Sequence, residues 1–264
     1  MDVVIRPGGA EVADVAVAIV AAALRAAGPN PVLGVATGSS PLALYSGLAE
    51  LVAAGTLDLS GATLFALDEY VGLPRGHRES YAEVLRRTVT EPLGLDPAQV
   101  HTPDVFADDL GAAAAAYDKA IGDAGGVDVQ ILGIGSNGHI GFNEPTSAFN
   151  SRTRPTMLTT RTRIDNGRFF ESMEEVPQQC ITQGLGTIME ARQVVLLAQG
   201  TAKAEAIAAT CEGPITALVP ASVLQFHAHT TVVVDEGAAS ALQMADYYRE
   251  ADEFTLGQHL RTAA

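Results

Sequence analysis

The sequence predicts an α/β protein built as a Rossmann-like open parallel sheet with helices on both faces. Two observations carry this reading. Short apolar, β-branched runs alternate with longer helical patterns from end to end, the signature of a parallel sheet covered on both sides. Each run is short and bounded by Gly, Pro or polar residues. With 264 residues, 47% apolar and 18% charged, the chain can bury a large core, so one domain spanning residues 1–264 is expected.

Taken in order, Met1-Asp2 offers no basic leader, and the Ala-rich run Val15 to Ala27, which carries Arg25, reads as a helix rather than a signal core. A strand follows at Pro31 to Ala36, then Leu44, Leu48, Leu51 and Val52 at helical spacing. Thr63 to Leu67 is the next strand, and Ser80-Tyr81-Ala82-Glu83 reads as a capping box. Leu110 to Ile121 suits a helix, with Ala112 to Ala116 as good helix formers, and Val127 to Gly133 suits a strand. The region 142–183 is polar, holds Arg152, Arg154, Arg161, Arg163 and Arg168, and has little periodicity, so a lid over a site is expected there. Strands at Gln193 to Ala198 and Thr230 to Val234 then alternate with helices at Thr201 to Cys211 and Ala238 to Tyr248.

A net charge of -15 and a pI near 4.7 argue against a nucleic-acid or anionic-membrane partner, because both recruit Lys and Arg patches. An anionic small molecule would need a local cationic pocket. Two cysteines, Cys180 and Cys211, do not make a disulfide framework and fit a reducing compartment as buried, inert thiols. No stretch approaches about 20 uninterrupted apolar residues, and a soluble, cytoplasmic protein is expected. The six histidines are scattered and no H-E-x-x-H or paired C-x-x-C occurs, so no metal site is expected.

Three constellations carry chemistry. Thr37-Gly38-Ser39-Ser40-Pro41 ends a strand and enters a helix with Pro at its start. Its amides and three hydroxyls suit a phosphate, although one of them could serve only as a cap. Asp68-Glu69 closes an apolar strand, where ligands sit in open α/β sheets; one acid is placed as a general base, and successive extended residues face opposite ways. Gly133-Ile134-Gly135-Ser136-Asn137-Gly138-His139-Ile140-Gly141-Phe142-Asn143-Glu144-Pro145 is too Gly-rich for a plain helix. It gathers Asn137, His139 and Glu144, a ring suited to proton transfer with groups able to orient it. It does not fit a dinucleotide fingerprint cleanly.

Together TGSSP, LDEYVGLP, ESY and GIGSNGHIGFNEP, in this order from about Val32 to Tyr248, resemble the glucosamine-6-phosphate deaminase family, which shares its fold with sugar-phosphate isomerases and 6-phosphogluconolactonase. The resemblance implies a cofactor-free isomerisation and deamination. His139 would open the sugar ring, oriented by Asn137 and Glu144, and Asp68 would take the C2 proton. The phosphate would sit on Thr37, Gly38, Ser39 and Ser40 with Arg168, from the sequence RFF, and Lys203. Many relatives read Asp-Gly-His where this chain has Asn137-Gly138-His139, which implies an altered pH dependence. Ser147 and Arg154 lie in the region that holds an activator in allosteric members. Thr156 stands where those carry a lysine, which argues against activation. The resemblance leaves a homo-oligomer open.

Two other readings compete. A lactonase would share the fold and a Gly-His segment, but Phe142-Asn143-Glu144-Pro145 matches the deaminases. A non-catalytic sugar-phosphate sensor would need a basic recognition helix, and the residues before the first predicted strand are acidic and Ala-rich.

Overall fold

The computed structural model describes residues 1–252. The chain opens with β1 (Asp2–Arg6), α1 (Gly9–Ala27), β2 (Val32–Val35), α2 (Leu42–Ala53), β3 (Thr63–Ala66) and β4 (Asp68–Val71). It continues through α3 (Tyr81–Leu85), β5 (Val100–His101), α4 (Leu110–Asp123), β6 (Val129–Leu132), β7 (Arg154–Met157) and α5 (Thr160–Asn166). The last elements are β8 (Gln179–Thr182), α6 (Leu185–Ile188), β9 (Gln193–Ala198), α7 (Ala204–Cys211), β10 (Thr230–Asp235) and α8 (Glu236–Ala239).

Seven strands form one sheet in the order β1-β10-β9-β6-β2-β3-β5, and every pairing is parallel. Strands β2 and β6 are buried along their whole length, because helices cover both faces. The main core joins Leu24 of α1, Leu48 of α2, Leu33, Leu64, Ile131, Leu196 and Val233 from the sheet, and Ile207 of α7. Burying each such aliphatic side chain contributes about 1.5–3 kcal/mol before entropy is counted.

From β2 the chain moves outward to β3 and β5; from β6 it moves the other way to β9 and β10. Strand order therefore reverses between β2 and β6, and the crevice beyond their carboxyl ends is where open α/β sheets bind ligands.

The structure departs from the sequence reading in four places. β1, an edge strand paired with β10, and the two-residue β5 are too brief or too close to the terminus to show a period. A second, antiparallel sheet, β4-β8-β7, takes in Asp68-Glu69 and two stretches of the predicted lid, 154–157 and 179–182. Pro155 is tolerated in β7 because that strand is an edge. Residues 158–178 of that region connect β7 to β8 and include α5. The capping box at Ser80 is half formed: Ser80 Oγ accepts from the Glu83 amide at 3.4 Å, but the Glu83 carboxylate turns to Arg86 at 2.8 Å. Glu69 takes the amides of Tyr81 and Ala82 instead, at 2.9 and 2.7 Å. The helix expected over Ala238 to Tyr248 breaks after Ala239 and resumes at 245–252. The Glu212 carboxylate accepts the Gln243 and Met244 amides at 2.8 and 2.9 Å and caps the new start.

Candidate active site

The turn after β2 enters α2 with Pro41 at the N-cap and no side-chain cap. Ser40 therefore does not act as an ordinary helix cap, the alternative to phosphate binding. The Ser39 and Ser40 hydroxyls take no protein partner among the described residues, and Gly38 turns at φ 95. At the start of a twelve-residue helix, these two hydroxyls are thus uncommitted, while the Thr37 side chain is hydrogen-bonded to Tyr81.

The loop after β6 folds His139 back on its own backbone. The Gly135 amide donates to the His139 carbonyl at 2.9 Å, and the ring lies so close that a Cβ on Gly135 would fall 2.2–2.5 Å from its atoms. Only glycine leaves that space. Asn137 Oδ1 meets His139 Nδ1 at 2.7 Å, and Asn137 Nδ2 donates to Glu144 Oε2 at 2.8 Å. A carboxylate only accepts, so Glu144 fixes which way the amide points. The amide oxygen only accepts, so neutral His139 carries its proton on Nδ1 and keeps Nε2 free. Glu144 Oε2 stands 3.6 Å from the ring.

Glu144 is buried, which pulls its pKa upward, but the His139 ring, Thr162 and Asn137 outweigh that and hold it at about 2. Its other oxygen accepts from the Thr159 amide at 3.3 Å, from Thr159 Oγ1 at 3.0 Å, and from Thr162 Oγ1. Thr159 caps α5, so that helix is fastened to this loop. Just beyond, Thr146 adopts φ 82, a costly conformation for a β-branched residue, with its amide on the Ala217 carbonyl at 2.7 Å.

Asp68 begins β4 opposite Thr182 of β8, and Gly141 brings it to the histidine loop. A Cβ on Gly141, at φ 54, would touch Thr182 Oγ1 at 3.0 Å and Asp68 Oδ2 at 3.6 Å. The Asp68 side chain receives no hydrogen bond among the described residues. Burial, then the charge of Glu69, push its pKa well above the ordinary carboxylate value. Glu69 points the other way, as strand alternation requires, and accepts the Tyr70, Tyr81 and Ala82 amides. A hollow of about 300 Å³ between Glu69, Arg75, Asp104 and Phe106 lies on that side and holds none of the predicted residues.

Lys203, after β9, donates to the Ile134 carbonyl at 2.7 Å, which seats it beside the histidine loop. Burial lowers its pKa; Asp165 raises it and Arg168 lowers it, so both lie within electrostatic reach. Arg168 is exposed in the turn after α5, its guanidinium 4.7 Å over the Phe169 ring. Sequence reading passed over Asp165, which accepts from Ser136 Oγ at 3.1 Å. It also passed over Asn166, which donates to Tyr70 Oη at 2.8 Å, and Thr162. A threonine N-cap three residues before a second threonine was the available signal. Ser147 and Arg154 meet at 3.1 Å, with Arg154 also on Asn143 Oδ1 at 3.0 Å. Among the described residues no three His, Cys, Asp or Glu side chains gather as ligands for a metal ion. No helix there is long and apolar enough to cross a membrane.

A basic carboxyl, a tautomer-locked histidine and two cations at the switch point of a parallel sheet define an acid–base α/β enzyme for a small anionic substrate. The chain belongs to the glucosamine-6-phosphate isomerase/6-phosphogluconolactonase family, whose model matches residues 9–233. It is 64% identical over 222 residues to a glucosamine-6-phosphate deaminase of Cutibacterium acnes, covering 84% of this chain and 85% of that one. It is 56% identical over 249 residues to one from Pseudarthrobacter chlorophenolicus, covering 94% and 95%. Among solved structures, a monomeric glucosamine-6-phosphate deaminase superposes with a TM-score of 0.88 at 37% identity, over 91% of this chain and all of that one. The 6-phosphogluconolactonase of Trypanosoma cruzi, at 21% identity and a TM-score of 0.73 over 92% and 97% of the two chains, shares the fold.

Proposed function

We propose that this chain converts glucosamine 6-phosphate and water into fructose 6-phosphate and ammonia, acting in the cytoplasm as one domain closed by the 158–178 segment. The observation that carries the reading is the meeting of Asp68 with the His139–Asn137–Glu144 relay across Gly141. One carboxyl is kept basic and the other is kept ionised. The substrate phosphate would take the amides of the Thr37 to Ser40 turn and the free Ser39 and Ser40 hydroxyls, beside Thr37, whose side chain is hydrogen-bonded to Tyr81, with Arg168 and Lys203 supplying the positive charge the acidic chain otherwise lacks.

His139 Nε2 accepts the proton of the C1 hydroxyl and returns it to the ring oxygen as the sugar opens. The transient imidazolium is compensated by Glu144 at 3.6 Å. Asp68 then removes the C2 proton, giving a cis-enolamine that is reprotonated at C1. Addition of water at C2 expels ammonia. His139 and Asp68 supply the proton acceptors for ring opening and for C2 deprotonation. The lactonase reading is not favoured: those neighbours share the fold at 18–21% identity, against 54–64% for deaminases.

A coupled assay for fructose 6-phosphate and ammonia tests the reading, with Asp68→Asn and His139→Gln as controls and chelator present. Turnover that collapses in both variants supports it. A well-folded wild-type protein without turnover refutes it.

A further inference from the structure

Glu144 divides its two oxygens between different tasks. Oε2 faces Asn137 and His139, and Oε1 faces α5, where the Thr159 amide, Thr159 Oγ1 and Thr162 Oγ1 converge on it. The Thr162 hydroxyl donates to Oε1, and the Thr159 hydroxyl has two acceptors in reach, Oε1 at 3.0 Å and Thr162 Oγ1 at 3.1 Å. Thr159 Oγ1 also accepts the Thr162 amide at 3.2 Å as the helix cap, so the two threonines support each other against Glu144. Thr162 is 2% exposed, so solvent does not substitute for it. Neither threonine belongs to the relay as the sequence motifs define it, and the same short helix leads to Asn166 and Arg168.

We propose that Thr162, supported by Thr159, is a positioning residue for ring opening: it holds Glu144 in the rotamer that points Asn137 Oδ1 at His139 and so fixes the histidine tautomer. The inference rests on the deaminase reading for its kinetic arm and is independent of it for its spectroscopic arm. In Thr162→Val a methyl group replaces the donor against Oε1. Glu144 then turns toward the remaining donors, Asn137 loses its fixed partner, and its amide is free to flip and present Nδ2 to the ring. A flipped amide selects the opposite tautomer, with the proton on Nε2, where it cannot accept from a sugar hydroxyl. Ser at 162 keeps the hydroxyl and should keep the tautomer.

The experiment compares wild type, Thr162→Val, Thr162→Ser and Thr162→Ala by kcat and KM and by ¹⁵N shifts of the His139 imidazole in the resting protein, with thermal midpoints as the check on folding. Wild type and Thr162→Ser should show Nδ1 protonated and Nε2 bare. Thr162→Val and Thr162→Ala should show the second tautomer, with kcat down about 100-fold, at the low end of acid–base contributions, and KM within about threefold. Wild-type imidazole signals in folded Val and Ala variants overturn the proposal, as does a loss of kcat that serine fails to restore. If wild type does not turn over glucosamine 6-phosphate, the functional reading falls while the ¹⁵N comparison still decides the positioning role.

Discussion

Gly135→Ala separates catalytic geometry from folding. Gly135 has no positive φ, so its backbone accepts alanine without strain, but the new Cβ would lie 2.2 Å from His139 Cε1, 2.3 Å from Nδ1 and 2.5 Å from Nε2. Ordinary contact begins near 3.4 Å, so the ring must retreat by about 1.2 Å. A ring so displaced cannot hold Nδ1 at 2.7 Å from Asn137 and also present Nε2 to the sugar. Misplacement of about 1 Å costs roughly 100-fold, and the whole acid–base contribution is about 10²–10⁴-fold, so kcat should fall 100-fold or more. The phosphate groups do not move, so competitive inhibition by inorganic phosphate should stay as in wild type. The matched control is Gly133→Ala, whose Cβ would meet nothing within 4 Å and which should keep wild-type turnover. The coupled assay reads both variants. If Gly135→Ala retains kcat within about threefold, the ring is not held where this geometry puts it.

Asp68→Asn should abolish turnover and raise the thermal midpoint at neutral pH. Burial holds the folded-state pKa of Asp68 well above the ordinary carboxylate value, so the folded protein binds that proton more tightly and ionisation at neutral pH costs stability. The gain from Asn should vanish below about pH 4, and each 1 kcal/mol corresponds to roughly 2–4 °C at this chain size; equal midpoints at pH 7.5 would refute the burial argument. Glu144 has the opposite sign. With a folded value of about 2 against 4.5, its contribution is present above pH 4.5 and lost as pH falls toward 2, so the midpoint difference between wild type and Glu144→Gln should shrink over that window in a pH series. Asp165→Asn removes a carboxylate beside Lys203 and Arg168, and KM for the phosphorylated substrate should drop about two- to fivefold, the scale of a partly exposed charge pair; an unchanged or higher KM would count against a phosphate seated there.

Much of this was legible in the sequence because the relevant signals are local. β2, β3, β6, β9 and β10 are continuous apolar runs, and a run bounded by Gly, Pro or polar residues needs no partner to be recognised. Asp68, Asn137, His139 and Glu144 stand in motifs whose spacing survives folding. What was not legible depends on pairing. β7 reads Arg-Pro-Thr-Met and β8 reads Gln-Cys-Ile-Thr, neither with a period of its own, and they become strands only because β4 supplies the first edge. Glu69 looks like half of an acidic pair until Tyr81 and Ala82, twelve and thirteen residues on, bring it their amides. Thr162 looks like any surface helix residue until Glu144, eighteen residues earlier, is folded against it.

Asp68 and Glu144 begin as similar groups, and the number of donors each receives assigns their work. Asp68 is buried with a neighbouring anion and no hydrogen bond from the described residues, so its carboxylate is destabilised and binds a proton readily. Glu144 is buried too, yet donors from Asn137, Thr159 and Thr162 and the adjacent ring hold it at about 2, so it stays ionised throughout the neutral range. A carboxylate with that pKa is too weak a base to take a carbon-bound proton, but it is a constant negative charge beside an imidazole that must become positive for a moment. The arrangement therefore cannot be run with the roles exchanged: moving the donors from Glu144 to Asp68 would remove the base from C2 and the counter-charge from His139 together, even with every motif residue still in place.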